Sequence, residues 1–239
     1  MKKRMLLACA LTWAGANAAG YEMKSYVALD GKKQEAFAWC DAPDRVLALT
    51  QVREKPTKPQ PATLVTWLKG RSGGPNRDTI QLGAGEGAAG SVFYAISGPG
   101  QKLPPNDYVR LSNIENVQDP SYRMSRVVSF RLAHKDYSCR YVKDATFIGV
   151  TQKRTVIIWN NGKAVTYATR NFDGSAGVYV TGGTVEHDDT GPVYLFETSS
   201  GYSYIVTYDQ RANFVQVLRG NKVQSTEHFL AYSSSSPKP

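Results

Sequence analysis

Residues 155–173 read Thr155-Val156-Ile157-Ile158-Trp159-Asn160-Asn161-Gly162-Lys163-Ala164-Val165-Thr166-Tyr167-Ala168-Thr169-Arg170-Asn171-Phe172-Asp173, and this stretch decides the fold class. Two runs rich in β-branched and aromatic residues flank an Asn-Gly step. Asn161 and Gly162 both tolerate positive φ, the requirement of a two-residue type I′ hairpin turn. Such a turn sets Ile158 opposite Val165 and Val156 opposite Tyr167 on one face. Trp159 then opposes Ala164, and Ile157 opposes Thr166, on the other. Both faces carry apolar bulk, so the hairpin is expected to be covered on both sides.

The pattern continues outward in both directions. Just before the hairpin comes the β-rich run Thr146–Val150, and downstream the runs Gly177–Thr181, Val193–Thr198, Tyr202–Tyr208, Phe214–Arg219 and Lys222–Tyr232 are punctuated by Asp173-Gly174, Gly182-Gly183, Ser200-Gly201, Asp209 to Asn213 and Gly220-Asn221. Strands at this spacing predict an antiparallel meander forming a barrel or a sandwich. Upstream, Tyr21–Leu29, Gln34–Cys40, Arg45–Gln51, Thr63–Leu68 and Ser91–Ile96 alternate in the same way, with a turn at Asp30-Gly31. Pro56, Pro59 and Pro61 mark a loop, since proline cannot donate to a strand ladder. Asp119-Pro120 opens a short helix running to about Arg126, and Val127–Leu132 reads as a strand. The expected fold is therefore mostly β with little helix.

The N-terminus reads as an export signal. Lys2-Lys3-Arg4 precedes a short apolar core, Met5 to Ala14, and Ala16-Asn17-Ala18 is a cleavage signature. Residues 1–18 are expected to be removed, leaving Ala19 first. The leader is bacterial in type, which places the mature chain in the periplasm or outside the cell. Leu6-Leu7-Ala8-Cys9 loosely resembles a lipidation box, but too little apolar sequence precedes Cys9. The remainder, 19–232, reads as one β-rich domain, with docked lobes 19–135 and 136–232 as the alternative. Residues 233–239, rich in Ser and Pro, read as a disordered tail. No other apolar run approaches membrane-spanning length.

Removing residues 1–18 takes the 29 basic and 20 acidic residues to 26 and 20, a net charge of +6. The excess favours acidic partners. It is dispersed, with no run of five or more cations in the mature chain, which argues against nucleic acid. Cys40 and Cys139 are the two mature cysteines, and an oxidising compartment implies one disulfide between them.

Residues that carry chemistry are sparse. Glu186-His187-Asp188-Asp189 places titratable groups in one turn between strands, and an imidazole beside carboxylates suits acid–base work or a cation. An acidic, solvated hairpin loop explains the same residues. Arg170-Asn171-Phe172-Asp173, with Tyr167, forms either a polar recognition loop or an Asx-turn. His134 and His228 read as solvated. Gly85 to Gly90 matches G-x-G-x-x-G, but a strand follows rather than the helix a dinucleotide needs. There is no serine-hydrolase elbow, no zinc helix and no C-x-x-C pair. No cofactor or metal is expected. The sequence therefore predicts a β-rich binding protein for a protein or glycan partner, of inhibitor or immunity type. A cell-envelope hydrolase using Glu186–Asp189 and a structural envelope component are the alternatives.

Overall fold

The computed structural model describes residues 21–53, 56–71, 73–88, 90–101, 106–112, 127–188, 191–208 and 212–237. The leader and the helix expected before Arg126 lie outside the described residues. Every described element is a strand. The first nine are β1 (Tyr21–Leu29), β2 (Lys32–Asp41), β3 (Arg45–Thr50), β4 (Gln60–Leu68), β5 (Asn76–Ala88), β6 (Ser91–Ser97), β7 (Tyr108–Ser112), β8 (Val127–Leu132) and β9 (Lys135–Ser138). The second nine are β10 (Phe147–Val150), β11 (Arg154–Asn160), β12 (Val165–Asn171), β13 (Tyr179–Asp188), β14 (Gly191–Glu197), β15 (Tyr202–Tyr208), β16 (Asn213–Arg219), β17 (Lys222–His228) and β18 (Ala231–Pro237).

Two meanders make up the molecule. Strands β2 to β9 pair each with the next, and so do β10 to β17. All pairings are antiparallel, as short connections require. The last strand joins the halves: β18 pairs with β10 on one side and β1 on the other, and β1 pairs with β2. The result is a single antiparallel sheet of 18 strands.

Period-two alternation sorts the apolar residues into three cores. Leu47, Leu64, Leu82, Tyr94, Val109 and Phe130 fill the first meander. Val156, Ile158, Tyr167, Phe196, Val206 and Tyr232 fill the second. Between the meanders, Val46, Ala48 and Trp67 from the other face of β3 and β4 meet Ile148 and Val150. The 155–173 hairpin is covered as the sequence indicates, with Val156 and Ile158 on one core and Ile157 against another.

Its turn differs from the expectation. The observed partners are Ile158↔Tyr167, Trp159↔Thr166 and Asn160↔Val165, so 161–164 form a four-residue loop. Asparagine side chains account for this: Asn160 Oδ1 accepts from Gly162 N (2.9 Å), and Asn161 Oδ1 accepts from Lys163 N (3.0 Å) and Ala164 N (2.8 Å). Asx chemistry prevails over the tight turn. The shift is two residues, so each side chain keeps its face. The type I′ conformation occurs instead at Asp30 and Gly31, both at positive φ (53° and 70°), between Leu29 and Lys32.

Two further expectations change, and the glycine-rich stretch, whose sequence also suits a flexible hairpin loop, is a strand. Gly182-Gly183 is no turn but a bulge inside β13: the register steps from Val165↔Gly183 to Thr166↔Thr181, and Gly182 has φ 79°. Beyond it β13 pairs with β14 rather than β12. Gly85 and Gly87 lie in β5, where a Cβ on Gly85 would stand 2.8 Å from the Tyr94 ring. Residues 233–237 are not a tail. They belong to β18, where small serines fit between two neighbouring strands, and Ser233 Oγ accepts from the buried Trp39 Nε1 at 2.6 Å. The expected disulfide is present, Cys40 to Cys139. Among the described residues no helix is long and apolar enough to cross a membrane.

Candidate functional site

The disulfide builds the site. It brings the end of β2 against the segment leaving β9, with Cα atoms 4.9 Å apart. The residue after each cysteine is charged, Asp41 and Arg140, and Arg140 N donates to Asp41 O at 3.0 Å. The Asp41 side chain is 1% exposed. Its carboxylate accepts from Lys69 Nζ, from Arg140 Nε at 2.6 Å and from Thr155 Oγ1 at 2.8 Å. Lys69 follows β4 and Thr155 lies on β11, so this one buried carboxylate ties both meanders together.

Buried charge is tolerable only when paired and hydrogen-bonded, and Asp41 meets both conditions. Lys69 Nζ also donates to Ala42 O and sits 4.3 Å from the centroid of the Phe172 ring. Burial draws the Lys69 ammonium below the ordinary lysine range, and the Asp41 carboxylate opposes that shift. Phe172 is held in turn by its N–H donating to Lys153 O at 2.8 Å.

A second pair lies beside the first. Arg45 grips Asp44 with Nε at 3.1 Å and a terminal nitrogen at 2.9 Å, and its guanidinium lies 4.6 Å from the Tyr137 ring. That hydrogen bonding holds the Asp44 carboxyl below its ordinary value.

These groups floor an open cleft of about 950 Å³. Its walls are strand ends and loops: the ends of β2, β4, β9 and β12, the start of β3, and residues 69–71 and 172–175. Five lining side chains are cationic (Arg45, Lys69, Arg71, Arg140 and Arg170) and two are anionic, Asp41 and Asp44. Both carboxylates are already engaged. Arg71 and Arg170 are exposed and have no carboxylate partner among the described residues. A second cavity of about 610 Å³ shares Arg45, Leu68 and Arg71 with the cleft and is also lined by Asp78.

No family model, curated protein or solved structure matches this chain. Geometry alone therefore carries the functional reading.

Of the residues singled out from the sequence, Arg170, Asn171 and Phe172 line the cleft. Asp173 stands beside it and closes the following turn, its Oδ1 accepting from Ser175 N (2.9 Å) and Ser175 Oγ (2.6 Å). Those hydrogen bonds hold its carboxyl below the ordinary range. Tyr167 is fully buried in the second core, its hydroxyl without a partner among the described residues, and burial pushes that hydroxyl far up. It presents nothing to a ligand.

The Glu186–Asp189 cluster is not the single turn the sequence suggested. Glu186, His187 and Asp188 belong to β13, opposite Val193, Pro192 and Gly191. Neighbouring strand residues point to opposite faces, so the exposed Glu186 and His187 side chains diverge. Asp189 lies outside the described residues. No group of three or more His, Cys, Asp or Glu residues placed to hold a metal ion occurs among the described residues.

Sequence reasoning missed Asp41, Lys69, Arg71 and Arg140. One signal was available: once Cys40 and Cys139 are paired, their following residues, Asp41 and Arg140, must be neighbours. Nothing local marks Lys69 or Arg71, which reach the cleft only through the β3–β4 pairing.

Proposed function

We propose that this chain is an exported binding protein, and that it holds an anionic group of a protein or glycan partner in the cleft at the ends of β2, β4, β9 and β12. The observation that carries the reading is the charge balance there. Five cations face two carboxylates that are already paired, which leaves Arg71 and Arg170 without a carboxylate partner among the described residues. A concave site of one sign focuses its field and raises the local concentration of the opposite ion. Guanidinium groups suit carboxylate, sulfate and phosphate, which they grip with two parallel hydrogen bonds. The buried network beneath, in which Asp41 accepts from Lys69, Arg140 and Thr155, holds the cleft floor in place before a ligand arrives.

Export is supported by the basic leader with its A-x-A step and by the disulfide. Each meander reads as a curled sheet of barrel or sandwich type around its own core, with β2 returning close to β8 in the first.

The test compares retention on an immobilised polyanion. Arg71→Glu with Arg170→Glu reverses the two free cleft cations. Lys163→Glu with Lys222→Glu removes the same charge from exposed hairpin tips. The cleft pair should elute at clearly lower salt than the control pair. Equal elution would reduce the effect to net charge and overturn the reading. N-terminal sequencing of the secreted or periplasmic protein should begin at Ala19.

A further inference from the structure

We infer that Asn161 is a site of spontaneous covalent modification: its carboxamide closes onto the Gly162 nitrogen, expels ammonia and is rehydrated to aspartate or isoaspartate. The chain holds a single Asn-Gly step, and it lies in the exposed loop 161–164 at the tip of the β11–β12 hairpin. Three conditions favour the reaction. The carboxamide must fold over the following peptide, the nitrogen must be open to approach, and the oxygen that becomes negative must have donors. Asn161 Oδ1 accepts from Lys163 N at 3.0 Å and from Ala164 N at 2.8 Å. Those bonds turn the carboxamide along the backbone toward the Gly162 nitrogen, which lies between. They also polarise the carbonyl, and when Gly162 N attacks Cγ the same two N–H groups hold the developing oxyanion. Beyond its chain neighbours, no heavy atom stands within 4 Å of the place a Cβ on Gly162 would take. The Gly162 N–H donates to Asn160 Oδ1 at 2.9 Å. The attacking electron pair stands perpendicular to that bond and stays free.

Water is the only other reactant. Hydroxide takes the Gly162 amide proton, the N–Cγ bond forms, and the Cγ–Nδ2 bond breaks as ammonia leaves with a proton from water. Water then opens the cyclic imide at one carbonyl or the other, giving an aspartate or a β-linked isoaspartate. Asn76, Asn171 and Asn213 lack this arrangement: they lie in strands and precede Arg77, Phe172 and Phe214, whose side chains hinder the nitrogen. Asn171 is further held by its Nδ2 donating to Ser175 Oγ (3.0 Å) and Ala176 O (2.9 Å). An aspartate in place of Asn161 keeps both N–H donors, now charge-assisted, whereas the β-linked isomer adds a methylene to the backbone and lengthens the loop. Either product adds a negative charge at the end of the hairpin opposite Arg170 and Asn171.

Peptide mapping by mass spectrometry, with fragmentation that separates the two isomers, tests the inference on the intact disulfide-bonded protein. Samples are incubated in heavy-oxygen water, in mildly acidic and mildly alkaline buffer, folded and in guanidinium chloride. In the folded protein, conversion at Asn161 should exceed that at Asn76, Asn171 and Asn213 by at least roughly tenfold, short of the about 10²–10³-fold of an enclosed oxyanion site because the loop stands in water. It should rise with pH and yield both isomers. Denaturant should speed the three strand asparagines but not Asn161, whose donors are lost on unfolding. Conversion at Asn161 no faster than at the strand positions would overturn the assignment. Aspartate alone, without the isomer, would mean direct hydrolysis and overturn the cyclic route. Conversion at Asn161 much faster in denaturant than in the folded protein would mean that the loop protects the side chain, and would overturn the role given to Lys163 N and Ala164 N.

Discussion

Replacing Asp41 with asparagine removes the charge that joins the two meanders while keeping the side chain's size and its capacity to accept from Thr155. The Asp41 side chain is 1% exposed and that of Lys69 5%, so the Lys69 ammonium is left with little water to compensate it. Breaking a buried pair by removing one partner costs about 3–5 kcal/mol. Arg140, at 21% exposure, regains some hydration, which places the expected loss near the lower end, about 3 kcal/mol. That is a large share of a typical folding free energy of about 5–15 kcal/mol. Lys69→Met should cost less, because Asp41 keeps Arg140 and Thr155 as partners. The double variant, lacking both charges, should be more stable than the sum of the single losses predicts, by about 0.5–3 kcal/mol. Equilibrium unfolding in urea, with the disulfide intact and the slope unchanged, measures all three. A loss below about 1 kcal/mol for Asp41→Asn, or strict additivity in the double variant, would refute a buried ionic tie.

Deleting residues 233–239 should abolish cooperative unfolding or lower stability by several kcal/mol, on the order of a lost core element, because β18 bridges β10 and β1 and Ser233 satisfies Trp39; unchanged melting would restore the view of a tail. Gly183→Ala should cost about 1–3 kcal/mol by overpacking, since a Cβ there would lie 2.3 Å from the Phe196 ring; a neutral effect on the thermal midpoint would contradict that packing. Acid should weaken the fold in part through Asp44. Its folded pKa is depressed by Arg45, so its contribution is present above the unfolded value of about 3.9 and is lost as pH falls through the lower folded value. The effect is modest because the pair is solvated. Melting curves between about pH 2 and pH 5 should show a shallower decline in Asp44→Asn than in wild type.

How far the sequence led depends on the kind of signal. Strand identity was legible because β-branched and aromatic residues alternate with polar ones, as in Tyr202–Tyr208, and turn residues punctuate them. Hairpin detail was less so: Asn160 and Asn161 use their side chains to enlarge a loop that the Asn-Gly step alone predicts to be tight. Gly182 illustrates another limit, since positive φ serves a bulge as well as a turn. The serines of β18 read as disorder because small polar residues carry little strand preference, and only their position between β1 and β10 makes them a strand. For the site, Arg170 to Phe172 stood out because they end a strong hairpin. Their cationic companions come from the start of β3 and from the segments that follow β4 and β9, and only long-range pairing gathers them.

Hydrogen exchange of the mature protein, with and without a saturating soluble polyanion, tests the central claim most directly. Binding in the cleft predicts slowed exchange concentrated in residues 68–71, 138–141 and 170–176, with the cores unchanged. Protection centred on 184–188, or spread evenly over exposed lysines and arginines, would contradict a cleft built on Asp41 and opened by Arg71 and Arg170.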